Sequence, residues 1–489
     1  MIGLARIAGP VACLGLALLL LARTRRDRLA GLGFAALGAC MLAASLAPHD
    51  YAEAVGGTFA GLAAAAALAA AFRREPWLLP VLALACIPIR IGWLHHQLLV
   101  PLYVVVLAAA MQLAWEIARG DARVRELRAM TWPLAVYVGW VGLSLGWSQS
   151  AHDGAIEVLA FYVPLTVLAL AVARLPWKRL GLWALYAELT LMALVFAVVG
   201  FYQYETRTVF ENPKVINSNA YAAFFRVNSV FWDPSVYGRF LVVAMIPSVV
   251  LIVRGRSVRV AWIAAAALVV TWFGLLISFS QSSFSALGVA VICIAFVAWR
   301  WRALIAVALA VVVLGGLALA QPTVRRSLEH HTTSGLNSAS SGRYSLVANG
   351  IRIAIAHPVR GVGVGGFERA YARRVTRLHG KKNLKTAASH DTPVTVAAET
   401  GLLGLAFFVW LLVGVARDMF RTRRLVALAA GLSVAAILVH SLFYNDFFED
   451  PTTWLLIGLI ALAAPLRVRA PRPARAAETQ EPVPEMITR

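Results

Sequence analysis

The stretch Leu98–Ile117, LLVPLYVVVLAAAMQLAWEI, decides the fold class of this chain. It carries a single charge, Glu116, near its end. As a helix it is long enough to cross the roughly 30 Å of bilayer hydrocarbon, which takes about 20 residues at about 1.5 Å each. Its apolar residues are consecutive, so it does not read as a strand of a membrane β-barrel, where lipid-facing and lumen-facing residues alternate. Directly after it comes the basic stretch Arg119 to Arg128. That pairing of an apolar run with a basic cluster recurs along the whole chain.

Further apolar runs are Ala60 to Phe72, Trp262 to Ile277 and Leu304 to Ala320. Over 489 residues the hydrophobic share is 60% and the mean hydropathy +0.73, against roughly 45–50% apolar usage in soluble domains. A single soluble core could not hide so many runs, whereas a bilayer accepts them on the outside of a bundle. The expected fold is an all-α polytopic membrane protein, a helical transmembrane bundle of about 12–15 crossings with a large, partly helical outer loop. The four cysteines, Cys13, Cys40, Cys86 and Cys293, fall inside apolar runs and read as small packing residues, not as a disulfide frame or metal site.

The net charge of +21 would point to nucleic acid in a soluble protein. Here the basic residues cluster in short connections: Arg23 to Arg28, Arg73-Arg74, Arg119 to Arg128, Arg174 to Arg179, Arg254 to Arg259, Arg300 to Arg302, Arg417 to Arg424 and Arg467 to Arg475. By the positive-inside rule all belong in the cytoplasm, and no nucleic-acid partner is expected. Met1 is then outside and the tail inside. The first apolar run meets a basic cluster instead of a small-residue cleavage site, so no cleavable signal peptide is expected. The chain divides into N-terminal helices (1–201), an outer loop (202–237), further helices (238–320), a large outer loop (321–397), C-terminal helices (398–466) and a disordered cytoplasmic tail (467–489).

The two outer loops break the charge pattern. Tyr202 to Tyr237 carries Arg207, Lys214 and Arg226, and Gln321 to Ala397 holds twelve Lys/Arg against three Asp/Glu. Long loops cross regardless of charge, but the basicity asks for an anionic partner. Anionic lipid headgroups are one; a strongly anionic substrate at the membrane surface is the other. The substrate reading is favoured, because the same loops hold the clustered polar signatures.

From Arg343, the residues Tyr344, Leu346, Val347, Ile351, Ala354 and Ile355 recur at helical spacing, predicting an amphipathic helix that ends near His357-Pro358. Gly361-Val-Gly-Val-Gly-Gly-Phe367 follows. No preceding strand exists to make it a dinucleotide fingerprint, so its glycines predict a tight turn or a close backbone approach, Gly363 and Gly365 in its middle. After the basic stretch Arg369 to Lys385 comes Ser389-His390-Asp391-Thr392, directly before an apolar helix beginning around Val394. His390 thus stands at the outer boundary, where a neutral imidazole accepts a proton from a sugar hydroxyl near pH 7. A hydrogen-bonded structural histidine is the plainer alternative.

Together, Arg343 leading a helix, His357-Pro358, the glycine run, Ser389-His390 and Ala398-Glu399-Thr-Gly-Leu-Leu-Gly404 resemble the signature of the O-antigen ligase and Wzy polymerase superfamily. Phe225-Arg226-Val-Asn-Ser229 with Phe231-Trp-Asp-Pro-Ser-Val-Tyr-Gly238 is similar to that family's outer-loop arginine motif. Ser278-Phe-Ser-Gln-Ser-Ser283 resembles its Ser-Arg-Gly helix break, with Gln281 in place of Arg. Where the family usually has Asn after the histidine, this chain has Asp391, a carboxylate able to orient His390 or raise its pKa.

The resemblance implies a GT-C-like membrane glycosyltransferase of the cytoplasmic (inner) membrane, working on its outer face without metal or cofactor. It would move a glycan from a polyprenyl (undecaprenyl) diphosphate onto the hydroxyl of a lipid or glycan acceptor, with inversion. His390 is the implied base. Arg226 and Arg343, with Arg90 as a third candidate, are the implied diphosphate ligands, since guanidinium binds phosphate bidentately. Arg90 equally reads as a side chain snorkelling to the interface, and Arg239 could do either. Glu399 belongs to the motif, Tyr237, Trp232 and Phe231 are candidates to stack on a sugar, and Glu188 is expected to pair within the bundle. Asp446, Glu449 and Asp450 cluster without the Asp-x-Asp spacing of a divalent-metal site. His95-His96, His330-His331 and His379 have no partners at ligand spacing. A Wzy-type polymerase is the alternative enzyme, and a transporter of lipid-linked glycan the alternative from another class.

Overall fold

The computed structural model describes residues 2–46, 51–93, 96–121, 123–210, 212–221, 224–302, 305, 308–309, 343–379, 389–422 and 424–464. Most of the run Leu304 to Ala320, the first part of the large loop, the segment 380–388, the tail, and His95, His330 and His331 lie outside the described residues.

The chain is an all-α polytopic bundle. Among the described residues ten helices, from Gly3–Leu21 to Thr392–Arg421, are long and apolar enough to cross a membrane, and Leu425–His440 and Pro451–Ala463 are shorter apolar helices. Tyr51–Arg74 is a further long helix. One feature departs from the expected plan: Leu78–Cys86 is a short helix followed by a small antiparallel hairpin, Ile91–Trp93 paired with His96–Leu98. Pro88, just beyond the helix, cannot extend it.

Small residues bring the helices together, as expected where lipid is as apolar as a side chain and close van der Waals packing must hold the bundle. In the N-terminal pair Ile2–Leu21 and Arg25–Leu46, Gly15 faces the backbone of Gly31 and Ala35, and Gly38 faces that of Ala12. Gly458 of Pro451–Ala463 lies on Ala169 and Val172. All four cysteines are unpaired, and Cys13 fills the space in front of Gly142.

The two ends of the bundle differ in charge. At the end carrying the Arg23, Arg119 and Arg174 clusters, three carboxylates bind the arginines into one network. Arg28 meets Glu126 at 2.7 Å, and Arg174 meets Glu126 at 2.5 Å and Glu116 and Asp121 at 2.8 Å each. Arg123 closes on Asp121 at 2.5 Å. Burial alone would raise the Asp121 carboxyl, but Arg123 and Arg174 hold it at about 2. On the positive-inside expectation this would be the inner end and the opposite one the outer. At the opposite, outer end three helices start from an aspartate cap and a proline. Asp233 accepts from Ser235 N at 2.7 Å, Asp391 from Val394 N at 2.9 Å and Asp450 from Thr452 N at 2.8 Å. Each cap satisfies an amide that the helix itself leaves open, and the positive helix termini gather on this face.

Arg28 and both partners of the Arg174–Glu126 pair are almost fully enclosed, at 2%, 4% and 4% side-chain exposure. Glu126→Gln leaves two buried guanidinium groups short of a counter-charge, which should cost about 3–5 kcal/mol. The expected outcome is a clear fall in the thermal denaturation midpoint in detergent; an unchanged midpoint would show that the network carries no stability.

Candidate active site

His390 stands just ahead of the helix Thr392–Arg421 with a backbone φ of 57°, in the left-handed region that non-glycine residues rarely occupy. Its neighbours hold it there. Ser389, fully buried, donates its hydroxyl to Asp391 O at 2.7 Å, receives Asp391 N at 3.1 Å and meets Thr395 Oγ1 at 2.6 Å. Thr392 N donates to Ser441 O at 2.9 Å, tying the turn to the loop 441–450. A strained residue persists only where its surroundings over-determine it, and such residues cluster at functional sites.

Asp391 does something other than orient the imidazole: its carboxylate is the helix cap on Val394 N. The carboxylate that acts electrostatically on His390 is Asp233, more than 150 positions upstream. Tyr444 stands edge-on to the His390 ring at 5.8 Å between centroids and is hydrogen-bonded to Asp233. Burial and the neighbouring carboxylate raise the Tyr444 hydroxyl, which therefore stays protonated as a donor. No motif or spacing marks Tyr444. Asp233 was visible only as part of Phe231-Trp-Asp-Pro-Ser.

Arg226 and Arg343 reach the same place from two loops. Arg226 is held by Asn219, which receives Arg226 N at 3.1 Å and donates to Arg226 O at 2.9 Å, and its Nε lies 3.3 Å from Ser278 O. Ser278 ends one helix and Ser280 caps the next, with Phe279 left-handed between them. Arg343 opens the helix Arg343–Ala356 and is exposed. Arg226 feels Arg343 as a like charge and Asp233 as its counter-charge. Among the described residues neither arginine has an ion pair. Burial, and then Arg343, push the His390 pKa below its ordinary value, while Asp233 opposes them. The three groups therefore share one electrostatic neighbourhood with an excess of positive charge.

The glycine run is a buried turn. Gly361, Gly363 and Gly365 have φ of 65°, 87° and 69°, and Gly401 in the facing helix has φ 73°. A Cβ on Gly361 would collide with the backbone at Glu399, on Gly363 with Ser148, and on Gly365 with Gly154. The amides of the turn are engaged by protein: Val362 N by Ala398 O at 2.9 Å, Gly363 N by Glu399 O at 2.7 Å and Val364 N by Ser144 Oγ at 3.1 Å. Glu399 completes the clip by accepting from Phe367 N at 3.1 Å and from Gly365 N. Gly363, Gly365 and Glu399 hold the loop against the bundle instead of cradling a ligand.

Three other candidates are used differently from the sequence expectation. Arg239 is buried and paired with Asp446 and, at 3.0 Å, with Asp450, so it braces the loop 441–450 and has no free charge for a diphosphate. Tyr237 is fully buried with its hydroxyl end against Gly200 and Gly274, a core position beyond the reach of a sugar. Phe231 is buried too, edge-on to Phe196, while Trp232 is exposed. Arg90 stands by Arg239, Glu449 and Asp450, apart from the Arg226–Arg343 pair in its electrostatic contacts. Glu188 has no ion pair among the described residues. Nor do three His, Cys, Asp or Glu side chains converge there at metal-ligand geometry.

Residues 266–409 match a family model described as O-antigen ligase, which supports the O-antigen ligase and Wzy superfamily for this chain. The matched part contains Arg343, the glycine turn, His390 and Glu399; Arg226, Asp233 and Tyr444 lie outside it. No curated protein matches the chain.

The glycine turn yields a paired test. Gly363→Ala adds a left-handed strain of about 1–2 kcal/mol and an overlap with Ser148 costing about 1–3 kcal/mol, so its melting midpoint should fall sharply. Gly33→Ala, with nothing within 4 Å of the added carbon, should leave it level or slightly higher. Equal effects from the two would refute the close-approach account.

Proposed function

We propose, taking the O-antigen ligase match over residues 266–409 as premise, that this chain is a membrane glycosyltransferase that moves a glycan from a polyprenyl diphosphate to an acceptor hydroxyl. The donor would be an undecaprenyl diphosphate glycan at the outer face of the cytoplasmic membrane, and the acceptor a lipid such as a lipopolysaccharide core. The observation that carries the reading is the shared neighbourhood of Arg226, Arg343 and His390 at the end opposite the inner arginine network.

In this reading the acceptor oxygen attacks the anomeric carbon as the bond to the diphosphate oxygen breaks. The bonding pair leaves with the diphosphate, and the hydroxyl proton passes to the His390 imidazole. The anomeric carbon inverts. Arg226 and Arg343 oppose the charge that builds on the leaving group, with no reorganisation needed as it develops. A like-charged pair held together without a carboxylate each is stabilised by an arriving dianion. The same arrival offsets the charge of Arg343 beside His390, so donor binding would strengthen the base when it is needed. Tyr444, hydrogen-bonded to Asp233, would keep the imidazole plane in place.

The acceptor separates ligase from polymerase. A polymerase makes a ladder from lipid-linked repeat units alone, whereas a ligase needs a second kind of acceptor. Transport without chemistry would survive loss of His390.

With purified protein and a labelled polyprenyl diphosphate glycan, His390→Ala should lower the transfer rate by about 10²–10⁴-fold, and Arg226→Gln by about 10²–10³-fold. Transfer should continue in chelator; a rate restored by added divalent metal would contradict the guanidinium assignment, and full activity of His390→Ala would remove the base.

The pH profile has a definite sign. Neutral imidazole is the active form and its pKa is pushed down, so the rate should rise with pH on the acid side and level off at a lower pH than an ordinary imidazole would give. Arg343→Gln removes a cation that lowers this pKa and should move the acid limb to higher pH. A limb that stays put would mean Arg343 does not face the base.

A further inference from the structure

At the inner end a cavity of about 350 Å³ opens between the helices Arg179–Thr206, Pro234–Arg254, Leu425–His440 and Pro451–Ala463. Its walls are apolar, with Trp183, Pro247 and Ala430 among them, and its rim carries Trp177, Arg179 and Arg424. Along the helix Arg179–Thr206 it runs from Arg179 to Leu189, about 15 Å at about 1.5 Å per residue. That is one leaflet's share of the roughly 30 Å hydrocarbon. Walls this apolar suit a hydrocarbon chain, Tyr186 and Ser433 being the polar side chains among them.

The rim says which hydrocarbon. Arg179 and Arg424 are exposed and have no ion pair among the described residues. The Arg424 guanidinium lies 3.8 Å from the centre of the Trp177 ring, which keeps it at the mouth of the groove. Two arginines with no carboxylate partner among the described residues, above an apolar slot of single-leaflet length, complement a molecule with an anionic head and an acyl tail. We propose that this groove is a binding site for an anionic phospholipid of the inner leaflet, its phosphate between Arg179 and Arg424 and one acyl chain against Trp183 and Pro247. Basic pockets between helices on the cytoplasmic side are suited to such headgroups. The site is independent of the proposed transfer chemistry, which lies at the other end of the bundle.

The test is binding, read by native mass spectrometry of the full chain released from nanodiscs of phosphatidylglycerol mixed with phosphatidylcholine. The native protein should retain phosphatidylglycerol in preference to phosphatidylcholine. Arg179→Gln with Arg424→Gln should lower that preference roughly 30-fold, the fold-change for two basic residues at about 1 kcal/mol each. Val426→Trp, which fills the groove but keeps both arginines, should also release the lipid. A monodisperse profile and an unchanged melting midpoint in lipid-free detergent check that both variants are folded. Equal retention of the two lipids, an unaltered preference in the double variant, or retention in Val426→Trp would each overturn the site. So would an added polyprenyl phosphate displacing the phospholipid from the native protein.

Discussion

Backbone lying directly on backbone holds the outer end together. The turn at residues 361–366 touches the chain at Ser148 and Gly154 on one side and at Glu399 and Thr400 on the other, at separations where no side chain fits. Hydrogen bonds saturate the contact, Gln149 N reaching Val362 O and Leu402 N reaching Pro358 O at 3.0 and 2.7 Å. With its amides answered, an irregular segment can sit against a membrane bundle without an unsatisfied polar group. Because the turn leads out of the helix headed by Arg343 and packs on the helix preceded by His390, this contact links the arginine's position to the histidine's. Positively charged helix ends and arginines then concentrate where the caps of Asp233, Asp391 and Asp450 already gather.

The inner end solves the opposite problem. Its arginines answer the electrostatics of membrane insertion, and there Glu116, Asp121 and Glu126 neutralise enough of them for the helix ends to pack. At the outer end the acids Asp446 and Asp450 are engaged by Arg239, and Asp233 is shared by a helix cap and Tyr444. Arg226 and Arg343 are therefore left with little compensation. The contrast between the neutralised Arg28, Arg123 and Arg174 network and the Arg226–Arg343 pair has a plain physical source: which arginines have carboxylates within reach.

Apolar runs made the bundle legible, because lipid acts on composition and not on contacts. The glycine turn was legible as well, since only glycine takes φ of 65–87° without strain. Residue roles within the outer face were not. Arg226 and Arg239 look alike in the sequence, each basic near an outer helix boundary; Asp446, some 200 positions from Arg239, makes the difference. Tyr237 has the signature of an interfacial aromatic, but the glycines at 200 and 274 leave room for its hydroxyl end inside the bundle. Asp391 beside His390 invited a catalytic pairing, while local geometry gave its carboxylate to Val394 N. Tyr444 has no motif around it. The hairpin at 91–98 was hidden because the apolar run beginning at Leu98 reads as continuous with the helix after it.

Asp233 caps the start of a helix and grips a tyrosine with one carboxylate. Folding and the proposed transfer chemistry thus draw on the same two oxygens, so the position has no neutral direction in which to drift. Asparagine would keep the cap but lose the charge, and glutamate would keep the charge but misplace the cap. Such a residue resists both mutation and engineering, and relatives that lack it would have to redesign the start of the following helix and the tyrosine's loop together.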